Sequence, residues 1–123
     1  MNWAGIGATA LAAAVMLGAF GAHALRARFD AYSTGIWEKA VFYHFIHAIG
    51  LLVVPALART NLVTDAAANR VCWLLIVGIL IFSGSLYTLA ISGIRSLGAI
   101  TPIGGTAFIA GWLLLAWELF RNR

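Results

Sequence analysis

The sequence predicts an all-α integral membrane protein, an antiparallel four-helix bundle with a short interfacial helix or turn between helices 1 and 2. Two observations predict it. Met1–Leu25, Ala40–Ala58, Val71–Ile94 and Leu97–Trp117 contain no Asp, Glu, Lys or Arg, and a helix needs about 20 mostly apolar residues to cross the ~30 Å hydrocarbon layer. The 123 residues are 63% hydrophobic and only 10% charged. A soluble domain runs at about a quarter charged and needs that polarity to cover its surface. The spans fall at about 2–25, 38–58, 70–92 and 101–118, within a single transmembrane domain over 1–123.

The net charge of +4 comes from eight basic residues scattered singly or in pairs. They flank the apolar segments, where Lys and Arg meet lipid head groups. No basic stripe of the kind a phosphate backbone requires is present, which excludes nucleic acid as a partner. The single cysteine, Cys72, excludes an internal disulfide and reads as a small buried hydrophobe.

Helix 1 must first be weighed as a signal peptide, because Ala22-His23-Ala24 fits a cleavage pattern. Met1-Asn2-Trp3 supplies no positive n-region, and the apolar stretch exceeds a usual h-region. It is therefore expected to stay as a span. Ala10, Ala14, Gly18 and Ala22 form an i, i+4 row of small residues, which in lipid allows close backbone approach.

Between helices 1 and 2, Leu25, Phe29, Tyr32 and Ile36 share a face of an interfacial element, and Trp37 is placed at head-group level. On helix 2, Val41, Phe45, Ile49 and Leu52 should face lipid, and Ala40, Tyr43, His44, His47 and Leu51 the interior. Pro55 falls near its last turn.

Thr64 or Asp65 is the expected N-cap of helix 3, with Ser92-Gly93 as its C-cap. The short connection that follows makes helices 3 and 4 antiparallel neighbours. Thr101-Pro102 then reads as N-cap and first helical residue of helix 4. Gly84, Gly104 and Gly105 join Ala14, Gly18 and Ala22 as expected packing positions, and Glu118 and Arg121 close the last span as an interfacial pair.

Antiparallel spans put the end of helix 1, the start of helix 2, the end of helix 3 and the start of helix 4 in one leaflet. His23, Tyr43, His44, His47, Ser85, Tyr87, Arg95 and Thr101 all belong to that half, and they are the candidate ligand- or partner-binding residues. His44-x-x-His47 places two imidazoles on one face, with His23 arriving from helix 1. Three imidazoles suit zinc, copper or haem, but no Cys or carboxylate joins them, and mutual hydrogen bonding inside the bundle is the simpler expectation. Neither a metal site nor any cofactor is expected.

Gly5-Ile6-Gly7-Ala8-Thr9-Ala10 matches a dinucleotide fingerprint by letter only, since no strand precedes it. No catalytic motif or catalytic residue is recognised, so enzyme activity is not expected. Lys and Arg divide evenly between the two sides; weighting helix 1 most favours a cytoplasmic polar half.

Further residues carry a resemblance. These are Gly18-Ala19-Phe20-Gly21-Ala22-His23-Ala24-Leu25, Tyr43-His44-x-x-His47-Ala48, Phe82-Ser83-Gly84-Ser85-Leu86-Tyr87, Gly93-Ile94-Arg95-x-Leu97-Gly98-x-Ile100-Thr101-Pro102-Ile103-Gly104-Gly105 and Ala110-Gly111-Trp112. Together they resemble the YgdD/YwdK-like family of small uncharacterised bacterial inner-membrane proteins, which has eukaryotic relatives. The resemblance implies a multi-pass protein of the bacterial inner membrane and brings no catalytic residues with it.

The expected function is that of a structural or accessory membrane protein, binding lipid or a partner through a polar pocket in one leaflet half. Its partners are the lipid bilayer and a homo-oligomer or larger membrane complex. The rivals are a minimal oligomeric transporter or channel, and a membrane metal- or haem-binding protein.

Overall fold

The computed structural model describes residues 1–122. Its helices are α1 (Trp3–His23), α2 (Ala31–Arg59), α3 (Asp65–Ser92) and α4 (Thr101–Arg121), with no strand among the described residues. Each is long and apolar enough to span a membrane, with a mean hydropathy of 1.7 to 2.3 over its most apolar window. The chain is a four-helix membrane bundle.

Polar and aromatic contacts fix the antiparallel order. The Trp3 indole Nε1 donates to Asn69 Oδ1 at 2.8 Å, and Trp3 meets Trp73 edge to face at 5.1 Å. These join the start of α1 to the start of α3. Gly7 lies against Leu51, towards the end of α2. The middle helices carry the core: 39% of the α2 window and 44% of the α3 window are buried, against 11% for α1 and 22% for the last span. α1 rests mainly on α2, and α4 on α3. Leu51, Val54, Val71, Cys72 and Leu75 fill the centre.

α1 begins where the Asn2 side chain accepts the Gly5 N–H. The connection to α2 is a tight turn, and Asp30 caps α2 by accepting from the Ser33 N–H at 2.7 Å. Much of the expected interfacial segment is therefore the first two turns of α2 itself. At 1.5 Å per residue the 29 residues of α2 reach about 43 Å, longer than the ~30 Å hydrocarbon layer, so the extra turns lie at an interface. Trp37 is not a head-group anchor. It is 4% exposed, and its Nε1 donates to the Leu17 carbonyl at 2.9 Å.

Thr64 caps α3, accepting the Ala67 N–H, and Gly93 ends it with a left-handed φ of 72°. Between these, Ile79–Ser83 forms one π-helical turn. A short 3₁₀ segment, Arg95–Ala99, leads into α4. Thr101 is not the N-cap of that helix; Ile100 holds the position without a side-chain hydrogen bond, and the Thr101 hydroxyl is bonded to Ser85 instead. Glu118 is 5% exposed and pairs with Arg121, which donates to both its oxygens at 2.9 and 3.0 Å.

The small residues are sorted by geometry. Gly104 abuts the Phe82 backbone, Gly78 the Phe108 ring and Gly21 the Trp37 indole. Ala14 is fully buried, and a Cβ on Gly18 would stand 3.4 Å from Val41. Ala22 does not belong to the packed row, being exposed. Steps of four advance a helical face by about 40° each, whereas steps of seven return within about 20°. The row that meets α2 is accordingly Gly7, Ala14 and Gly21. Gly84 is also not a packing residue, since nothing lies within 4 Å of a Cβ there; the π turn just before it breaks the 3.6-residue phasing. The lipid face of α2 is centred on Phe42, Ile46, Ile49 and Val53, which are exposed. Val41 and Phe45, expected in lipid, are half-buried beside α1.

Candidate functional site

The candidate polar residues do not form one pocket. They form several hydrogen-bonded groups, each tying two parts of the bundle together. His44 Nδ1 and the Tyr87 hydroxyl are 2.9 Å apart, linking α2 to α3. Ser83 Oγ donates to the Ala40 carbonyl at 2.8 Å across the same interface. The Tyr87 ring packs on Trp37, centroids 4.7 Å apart, so this group reaches α1 through the Trp37–Leu17 bond. His47 Nδ1 bonds to the Tyr43 carbonyl one turn earlier at 2.6 Å. The His47 ring stacks on Phe108 of α4, with centroids 3.4 Å apart and planes inclined by 12°.

Ser85 and Thr101 share a hydrogen bond of 2.6 Å between α3 and α4. The Arg95 guanidinium lies 4.1 Å over the Tyr32 ring, holding the α3–α4 connection against the start of α2. His23 stands apart, exposed as the last residue of α1. The expected convergence of three imidazoles does not occur, and among the described residues no three His, Cys, Asp or Glu side chains meet in metal-binding geometry. No buried side-chain N or O atom there lacks a hydrogen-bond partner. In an apolar medium each such lapse would cost about 4–8 kcal/mol by cyclohexane transfer.

A lateral groove of about 640 Å³ runs between α1 and α2 in this leaflet half. Gly18, Gly21 and Ala22 form its α1 wall, and Trp37, Val41, Phe42 and Phe45 its α2 wall. Arg26, Thr34 and Glu38 stand among its lining residues nearest the α1–α2 turn. Along this wall Gly21 fits against the Trp37 indole and Gly18 lies beside Val41, so α1 approaches α2 closely at the base of the groove. From Thr34 to Phe45 the groove runs about 16 Å along α2, and its apolar part, from Glu38 to Phe45, about 10 Å, within the ~15 Å of one leaflet's hydrocarbon. A second groove of about 640 Å³ opens between α1 and α3, lined by Thr9, Ala10, Ala13, Ile76 and Leu80, with His44 at its edge.

Gly18 and Ala22 were legible as candidate positions, though for packing. Arg26, Thr34, Glu38, Phe42 and Phe45 were not singled out as site residues. The available signal was the run of glycines on α1 facing bulky apolar residues on α2, ending in charges of both signs.

A family model described as "Protein of unknown function (DUF423)" matches residues 17–105, the stretch that holds the groove and the polar groups. The chain belongs to this family. It is 47% identical over 116 residues to a UPF0382 membrane protein of Staphylococcus saprophyticus, covering 94% of each chain. A UPF0382 membrane protein of Staphylococcus haemolyticus is 46% identical over 94% of this chain and 93% of its own. The UPF0382 membrane protein YwdK of Bacillus subtilis is 44% identical over 110 residues, 89% of each. No solved structure matches. The DUF423 chain is a small membrane protein embedded in the lipid bilayer, and its relatives' names add no activity.

Proposed function

We propose that the protein is a non-catalytic accessory protein of the bacterial inner membrane that holds a membrane lipid in the α1–α2 groove. One observation carries this: a groove with apolar walls, open laterally and bearing charged and hydroxyl groups only towards the turn. An acyl chain fits the apolar walls and a head group the Arg26, Thr34 and Glu38 end. The polar residues expected to bind a ligand support the same reading from the other side. Their hydrogen bonds to one another leave them as fasteners that keep α2, α3 and α4 rigid while α1, resting mainly on α2, shapes the groove.

Native mass spectrometry of protein purified in mild detergent tests the proposal. The wild type is expected to retain phospholipid at about one molecule per chain through delipidation. Ala22→Phe adds bulk at an exposed lining position and should remove most of that lipid without unfolding the bundle. Equal lipid retention by wild type and Ala22→Phe would overturn it.

A further inference from the structure

The groove's mouth carries a feature that an acyl-chain slot does not need. Arg26 and Glu38 line the same space with opposite charges, yet they are not joined. Among the described residues the ion pair within 4 Å is Arg121 with Glu118, at the far end of α4. Arg28 and Asp30 line a different recess, and Asp30 is committed to the α2 cap. Thr34, one turn before Glu38 on α2, sits between these charges in sequence and adds a hydroxyl to the same lining.

Resting on the lipid reading above, we infer that this mouth selects a phospholipid head group carrying both a phosphate and a primary ammonium. Arg26 and Thr34 take the phosphate oxygens, for which a guanidinium and a hydroxyl are suited donors. Glu38 takes the ammonium, whose N–H groups all donate while a carboxylate only accepts. A head group of purely negative charge satisfies Arg26 and meets Glu38 as a like charge. A quaternary amine keeps the charge but lacks the N–H donors. With a guanidinium, a hydroxyl and a carboxylate along one lining, the mouth offers a partner to each charge of such a head group.

The test loads detergent-solubilised full-length protein with equimolar phosphatidylethanolamine, phosphatidylglycerol and phosphatidylcholine and counts retained lipid by native mass spectrometry. The wild type is expected to favour phosphatidylethanolamine over phosphatidylglycerol by about fivefold, the scale of one exposed ion pair. Glu38→Gln should bring that ratio to about one while total lipid holds, and Arg26→Gln should lower retention of both. A ratio unchanged in Glu38→Gln, or a wild-type preference for phosphatidylglycerol, overturns the inference. If Ala22→Phe still empties the groove in that case, the lipid reading stands without it. If Ala22→Phe retains full lipid, the groove reading itself has failed.

Discussion

Two adjacent glycines at the start of α4 give the sharpest test of how this bundle is held. A Cβ on Gly104 would stand 2.8 Å from the Phe82 Cα and nearer still to the Phe82 nitrogen, both backbone atoms of the π turn. Backbone cannot rotate away, so Gly104→Ala must push α4 from α3 by about 0.5–1 Å. A gap of that size forfeits a quarter to a half of each pairwise dispersion well it opens. The contacts exposed to that loss are Phe108 on Gly78 and the Leu75 approach to Gly111. Overpacking of this kind costs about 1–3 kcal/mol, set against at most ~1 kcal/mol of helix propensity gained from alanine.

On Gly105 the added Cβ meets Phe82 ring carbons at 3.7 and 3.8 Å, ordinary contact, so Gly105→Ala keeps the propensity gain with no clash. The two variants should differ by about 1–3 kcal/mol, Gly104→Ala melting below wild type and Gly105→Ala at or above it. Thermal unfolding followed by near-ultraviolet circular dichroism in one detergent reads this directly. Equal melting temperatures would refute the claim that α3 and α4 meet backbone to backbone at this point.

Further outcomes follow from individual contacts. A double-mutant cycle of Tyr87→Phe with His44→Leu should give a coupling of about 0.6 kcal/mol and no more than ~1.7, the range for hydrogen bonds within membrane bundles; denaturation in a mixed detergent series measures it, and zero coupling would deny the bond. Trp37→Phe should lower the melting temperature more than Trp117→Phe, because Trp37 is buried and bonded to Leu17 whereas Trp117 is 63% exposed. The Ser33 backbone N–H, followed by its hydroxyl, holds the Asp30 carboxyl below its ordinary 3.8. A depressed carboxylate stabilises the fold fully above the unfolded value and loses that contribution as pH falls through the folded one. Asp30→Asn should therefore flatten the acid limb of a stability profile below pH 3.8; an unchanged limb would count against the cap.

The helices were legible because apolar length is a one-dimensional property. The uncharged runs located all four, Gly93 declared its cap through local backbone chemistry, and the N-cap of α3 was narrowed to Thr64 or Asp65, of which the structure uses Thr64. The site was legible only in part. His44, Tyr87, Ser85 and Thr101 stood out as polar residues within apolar spans, but pairing depends on which faces turn towards each other. The π turn at Ile79–Ser83 is invisible to a 3.6-residue count, and Gly84 was misjudged for that reason. His23 was misjudged because leaflet depth says nothing about azimuth: sharing a level with His44 does not bring it alongside.

What the amino-acid sequence alone determined is the solvent. With so few charges over such long intervals, the chain has to satisfy its backbone internally and cross a bilayer as helices. Tertiary structure alone decided that the buried polar groups fasten the helices together instead of opening as one pocket. It also decided that Gly18, Gly21 and Ala22 line a lateral groove against α2, with Arg26 and Glu38 along it and in no ion pair among the described residues. The physical reason is that solvation sums over residues in order, whereas a groove is the space two helices fail to fill, fixed by their mutual rotation and distance.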